Sequence, residues 1–464
     1  MTSSHSAKGL LEYDARRHLR RDVDDVAEPN LLRDIFPYDD VPKITFDGQI
    51  EEIDPAPEFY ITDTTFRDGQ QARPPYTVEQ ITALYSLLHR LGGPNGVIRQ
   101  AEFFLYSGID KEAVRRCQAL GYDFPEVTGW IRAVASDFKL VKEMGLKETG
   151  ILTSCSDYHI FLKLKRTRRQ VLDDYLGIVK AALDAGVRIR CHLEDLTRAD
   201  FYGFVVPFVS ELMRLQEESG IPIKVRLCDT MGFGVPYPGA TLPRSVPKLV
   251  RALRRECGVP SEQLEWHGHN DFHKVLINAS TAWLYGCTFA NGTLLGFGER
   301  TGNPPVEGLV MEYIGLKGHA NGMDTTVITE IAEYFEREIG YRVPGNYPFV
   351  GRDFNVTRAG IHADGLLKNE EIYNSFDTTK VLGRPPRVLI DKTSGTAGVA
   401  WWINAYFHLP AAKRIDKKSE AVRKIAEWID HAYVDGRTTS ISDDEMLEQV
   451  KQHLPQLIHG PRAA

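Results

Sequence analysis

The chain has 464 residues, enough for two to four domains or for one large α/β barrel with appendages. Its 56 Lys and Arg against 63 Asp and Glu leave a net charge of −7, which excludes the basic footprint of a generic nucleic-acid binder. A content of 42% hydrophobic and 26% charged residues excludes bulk disorder, and no apolar run approaches the ~18 residues of a membrane span.

Residues 1–55 are charged and rich in Asp and Pro, and read as an extension that packs on a partner without forming a domain. The polar start has no apolar core of a secretory signal. The six cysteines are scattered without a CxxC pair, which suits reduced thiols and a cytoplasmic location.

From Phe59 an alternation begins. Apolar, β-rich runs fall at 59–65, 96–104, 124–131, 148–154, 187–194, 221–229, 264–269 and 287–295. Helix-like stretches lie between them, such as TVEQITALYSLLHRLGG with a capping Thr77 and a glycine stop. Eight strand–helix units over about 260 residues predict a TIM (β/α)8 barrel spanning 56–322. A doubly wound sheet would need a glycine-rich fingerprint after the first strand, where the sequence reads DTTFRDGQQ. The rhythm stops near residue 322. TTVITEIAEYFEREIG reads as a helix, 341–400 as irregular, and 413–455 again as helical, so 323–464 forms a mostly helical C-terminal lid region.

In such barrels the chemistry lies at the carboxyl ends of the strands. These ends carry Asp63, Arg67 and Asp68, then Glu102, then His192, Glu194, Asp195 and Arg198, then Asp229 and Thr230, then His267, His269 and Asn270, then Glu299, Arg300 and Asn303. HGHND (267–271) is the sharpest motif. Residues two apart on a strand face one side, so His267 and His269 offer two imidazoles to one cation. With Asp68 from the first strand and the amide oxygen of Asn303 they form a divalent-metal site suited to Mn, Co, Zn or Mg. Arg67 beside it is placed to stabilise a developing alkoxide or enolate. Glu102 reads equally as a salt-bridge partner or a substrate contact. Thr230 reads as a hydroxyl aimed at a carboxylate or, with Asp229, as the cap of the next helix. His192 reads as a packed, hydrogen-bonded histidine. GFGERTGN (296–303) reads as a sharp turn.

Six segments together, DTTFRDGQQ, HLEDLTRAD, CDTMG, HGHND, GFGERTGN and AGIHADG, resemble the DRE-TIM metallolyases over about residues 58–400, and within them the Claisen-condensing synthases of the isopropylmalate and homocitrate type. The resemblance implies that Asp68, His267 and His269 ligate the metal with Asn303 as a weaker ligand, and that Arg67 polarises the 2-oxo group. It implies substrate contact at Thr230 and Glu194, and acetyl-CoA deprotonation by His362 assisted by Tyr373. It also implies a homodimer whose lid comes from the neighbouring subunit. LGGPNGVIRQAEFFLYS, FPEVTGWIRA, SDYHIFLKL and RADFYGFVVPF are most similar to the branch that condenses acetyl-CoA with oxaloacetate, or with its phosphinate analogue phosphinopyruvate in antibiotic biosynthesis. In that reading Arg99, Arg132 or His192 binds the distal anion of the keto acid. Homologous lyases of the family carry a cysteine in the loop that here reads LGFGERTGN, so a lyase is not expected.

Overall fold

The computed structural model describes residues 3–5, 9–13 and 22–458, which divide into two units at Asp324/Thr325. The first unit is a closed barrel of eight parallel strands: β1 Tyr60–Asp63, β2 Ile98–Phe104, β3 Glu126–Ile131, β4 Glu148–Ser154, β5 Arg188–Glu194, β6 Ile223–Asp229, β7 Leu264–Gly268 and β8 Phe289–Gly292. Each strand pairs with its sequence neighbour, and β8 closes on β1 with Gly292 opposite Asp63. One helix follows each strand: α1 Val78–Gly92, α2 Gly108–Ala119, α3 Phe138–Glu143, α4 Arg168–Asp184, α5 Val206–Ser219, α6 Val246–Glu256, α7 Val275–Tyr285 and α8 Val306–Lys317. The predicted barrel is therefore present, with every expected strand in place.

Local chemistry sets these boundaries. Thr77, Ser107 and Thr167 each close a capping box with the residue three positions on, satisfying the free N–H groups at the starts of α1, α2 and α4. The outward faces of the strands supply Ile61, Ile151, Ile189, Leu193, Val225, Leu227 and Trp266, all sealed against the helix layer. The inward faces are charged. Glu102, Glu148, Arg190, Arg226 and Glu265 are buried inside the barrel, where branched aliphatics are the usual filling.

Residues 22–57 run over this unit. Asp24 N–H donates to Gly203 O, Asn30 N–H to Asp157 and Asp47 N–H to Gly239 O, while Thr45 O accepts the Thr241 N–H. Ile35 and Phe36 pack on Phe233 in the loop after β6, with the Phe36 and Phe233 rings 4.9 Å apart. Residues 1–2, 6–8 and 14–21 lie outside the described residues.

The second unit contains α9 Val327–Arg337, α10 Gly360–Lys368, α11 Thr378–Leu382, α12 Gly395–Tyr406, α13 Glu420–Val434 and α14 Asp443–His453. Val399, Ile403, Val422, Ile425, Met446 and Val450 form its apolar core. The stretch read as irregular holds α10, α11 and the first half of α12. Gly and Pro between these helices hid their periodicity, and α12 is so apolar around its circumference that no amphipathic stripe marks it.

Candidate active site

Asp68 follows β1, and His267 and His269 lie at the end of β7. Their ligand atoms fall within 4.8 Å of one another, and all three side chains are buried. His267 Nε2 is 3.8 Å and His269 Nε2 3.6 Å from Asp68 Oδ2. His267 Nδ1 pairs with Asn291 Oδ1 at 2.7 Å, and His269 Nδ1 faces Glu299 O at 3.3 Å. Those carbonyl partners hold the proton on Nδ1 and aim both Nε2 lone pairs at Asp68. Asn291 is itself fixed by donating to Thr62, whose hydroxyl bonds Glu265.

Burial lowers the His267 imidazole to about 3 and also depresses His269, so both are neutral near pH 7. Burial works to raise the Asp68 carboxyl, but Arg67 and the two histidines outweigh it and hold it below the usual range. Asp68 Oδ2 and Asn303 Oδ1 are buried acceptors without a hydrogen-bond donor. Asn303 Nδ2 donates to Gly268 O at 2.9 Å, which directs its oxygen away from that bond. A Cβ on Gly298 would stand 2.3 Å from Asn303 Oδ1 and 3.1 Å from Asp68 Oδ2, so glycine there keeps the cradle open. Two neutral imidazoles, a carboxylate and orphaned amide oxygen are a donor set that fits a divalent cation.

Arg67 sits beside this cradle. Its Nη1 lies 3.2 Å from Asp68, its Nε donates to Glu102 at 3.0 Å, and its guanidinium faces the Trp130 ring. Glu102 is a salt-bridge hub. Its oxygens also take Arg190 at 2.7 Å, Arg226 at 3.0 Å and the Thr64 hydroxyl at 3.0 Å. Burial pushes its carboxyl up, but the surrounding cations bring it well below the ordinary value. Both oxygens are engaged by these partners, and the side chain is sealed from solvent.

His192 is packed, as the sequence suggested. Arg190 Nε donates to its Nε2 at 3.3 Å, and burial depresses its pKa well below the ordinary range. A Cβ at residue 150 would lie 2.4 Å from that same nitrogen, so Gly150 on β4 makes the room for it. Thr230 Oγ accepts the Asp195 N–H at 2.8 Å, and Thr197 donates to Asp229. Neither Asp229 nor Thr230 caps a helix, because α6 begins only at Val246 with Ser245 as its cap.

Arg132 stands just past β3, bound to Asp137 at 3.0 Å and mostly exposed, on the lining of a cavity of about 710 Å³ with Trp130, Leu152, Ser154 and Lys163. Arg99 is a correction. It lies near the start of β2, and its guanidinium stacks on Tyr60 and Phe124 at 3.9 and 4.2 Å. Tyr60 opens β1, so Arg99 belongs to the end of the barrel opposite Asp68. In the second unit His362 lies on α10 with the Tyr373 ring 4.3 Å away.

Sequence reasoning missed Asn291, Arg190, Arg226 and Glu265. The signal was the period-two charge of RIRCHLE on β5, which puts Arg188, Arg190, His192 and Glu194 on one inward face.

The geometry defines a metal-site barrel, and the HMGL-like family profile matches residues 58–335; the chain belongs to that family, as its DRE-TIM motifs indicated. Citrate (Re)-synthase of Syntrophus aciditrophicus is 62% identical over 457 residues, covering 98% of this chain and 73% of that protein. Citrate (Re)-synthase of Clostridium kluyveri is 54% identical, over 94% of this chain and 96% of that protein. The 2-phosphinomethylmalate synthase of Streptomyces hygroscopicus is 37% identical, over 93% and 98%. Among solved structures, HMG-CoA lyase of Bacillus subtilis has a TM-score of 0.50 at 20% identity, over 63% of this chain and 97% of its own, and shares the fold.

Proposed function

We infer that this protein condenses acetyl-CoA with oxaloacetate and releases citrate and CoA, as an acyltransferase of the citrate (Re)-synthase type. The high identity to two proteins of that name over nearly the whole chain carries the reading. The donor set of the barrel mouth supports it.

Asp68, His267, His269 and Asn303 would hold a divalent cation, which when bound polarises the 2-oxo carbonyl of the keto acid. Arg67, oriented by Glu102, holds the negative charge that develops on the former carbonyl oxygen. Thr230 anchors the Asp195 backbone and keeps its own hydroxyl hydrogen for the substrate. Arg132, exposed on the cavity lining, is the group we assign to the distal carboxylate, since His192 is buried with its Nε2 already accepting from Arg190. His362, with Tyr373 against it, takes a methyl proton from acetyl-CoA. The resulting carbanion attacks the ketone, and water then cleaves the thioester, giving citrate and CoA and making the sequence irreversible. Ile361 and Tyr373 are exposed around His362, an apolar surface suited to closing on a site. We assign that closure to a homodimer in which each lid serves the neighbouring barrel, acting in the cytoplasm. No helix among the described residues is long and apolar enough to cross a membrane.

The test is CoA release from acetyl-CoA with Mn²⁺, offering oxaloacetate, phosphinopyruvate, 2-oxoglutarate and 2-oxoisovalerate side by side. Preference for oxaloacetate is the expected result. Preference for phosphinopyruvate would move the protein into phosphinate antibiotic biosynthesis and overturn the assignment.

A further inference from the structure

Between β4 and α4 the chain makes a π-helical turn, Tyr158–Lys163, with two nitrogen-bearing side chains, His159 and Lys163, one turn apart on its face. Both reach Glu194 at the end of β5. His159 Nδ1 lies 3.1 Å from Glu194 Oε2, and Lys163 Nζ lies 3.2 Å from the same oxygen. The Ser154 hydroxyl, from the end of β4, donates to that carboxylate as well. The other nitrogen of His159 faces Asp195 Oδ2 at 3.6 Å, and Asp195 is held in turn by Arg198 at 2.9 Å and by Ser156. Cys155 after β4, Cys228 on β6 and Tyr175 on α4 also stand around the pair, with Cys155 Sγ donating to Glu194 O at 3.2 Å and the Tyr175 hydroxyl accepting the Ser154 N–H.

We propose that His159 and Lys163 are positioning residues that hold Glu194 as a fixed, oriented anion at the barrel mouth. This rests on the reading that Glu194 serves the condensation. Three donors converge on one carboxylate, two of them able to carry charge, and such bonds are short and directional. The Nδ1 of His159 is engaged by Glu194, and its Nε2 is turned toward Asp195. The imidazole's place is to bridge Glu194 and Asp195 and so to fix the backbone that Thr230 also anchors. Burial pushes the Glu194 carboxyl up, but His159, Ser154 and Lys163 prevail and bring it down to about 2. Glu194 is then a poor proton acceptor and a permanent negative charge at neutral pH.

The experiment measures kcat and KM for CoA release against pH in the full, metal-replete protein. Lys163→Met and His159→Gln should each lower kcat by about 10-fold, the ordinary loss when an orienting partner is removed, with little change in KM. They should also move the acid limb of kcat upward, because burial then raises a carboxyl with fewer hydrogen-bond donors to oppose it. Lys163→Arg should restore both. Lys163 is half exposed, so its replacement leaves the fold intact. Glu194→Gln serves as the reference. If it is inactive while Lys163→Met and His159→Gln keep wild-type kcat and acid limb, the positioning role is overturned. If Glu194→Gln is fully active, the reading of Glu194 beneath it fails instead.

Discussion

Arg226 on β6 reaches across the barrel interior to Glu102 on β2, Nη1 to Oε2 at 3.0 Å, with both side chains sealed from solvent. The same guanidinium binds Glu265 on β7 through Nε at 2.9 Å, and Glu102 binds Arg67. A chain of alternating charge therefore runs from the barrel centre to the arginine beside the metal cradle. Burial alone would destabilise every member, and each is offset by partners on other strands or at the mouth.

This network predicts a large penalty for removing one member. Arg226→Met leaves Glu102 and Glu265 short of a cation and should destabilise the barrel by about 3–5 kcal/mol, read by chemical denaturation. A loss below about 1 kcal/mol would mean that the network contributes little.

The cradle predicts a separation of metal from fold. His267→Ala and Asp68→Asn should abolish stoichiometric metal binding and activity while circular dichroism and melting remain those of a folded barrel. Metal content by elemental analysis decides it, and full occupancy in either variant would contradict the ligand assignment.

Glu307 predicts a pH effect on stability. It sits in the first turn of α8, accepts the Leu295 N–H, and has its other oxygen buried without a partner. Burial raises its carboxyl from 4.5 to about 7. The folded state then holds a proton that the unfolded chain releases, so stability falls as pH rises from about 4.5 to about 7 and is level above that. Glu307→Gln removes this term, so relative to wild type it should gain up to about 3 kcal/mol on going from pH 4.5 to pH 8. Asp63 and Asp229 are raised by burial in the same sense, to about 7 and about 6, but they cancel in the comparison with wild type. An equal difference at both pH values would contradict the assignment.

The strap predicts coupling of the extension to the barrel. Phe36→Ala removes a buried ring from Phe233 and Met231 and should cost about 3–5 kcal/mol. Limited proteolysis would then cut within residues 22–57 ahead of the barrel, and an unchanged digestion pattern would count against the contact.

The barrel was legible because its signals are local. Each strand is a short β-rich run, and helices such as α1 carry their caps in the sequence. The cradle was legible because HGHND fixes two imidazoles on one strand face and the closed barrel brings Asp68 to them. Arg99 was misplaced because its position along β2 decides which end of the barrel it serves, and composition does not record that. The roles of Glu102 and His192 depended on partners dozens of residues away. Arg190 and Arg226 were overlooked because charged residues on strands read as solvent-facing until the barrel closes around them.

The most direct measurement of the central claim is CoA release from acetyl-CoA and oxaloacetate, with citrate quantified, by protein stripped with a chelator and then titrated with divalent cation. The account predicts no turnover in the stripped protein, recovery at one equivalent per chain, and no recovery in His267→Ala. Full citrate formation by the metal-free protein would contradict it.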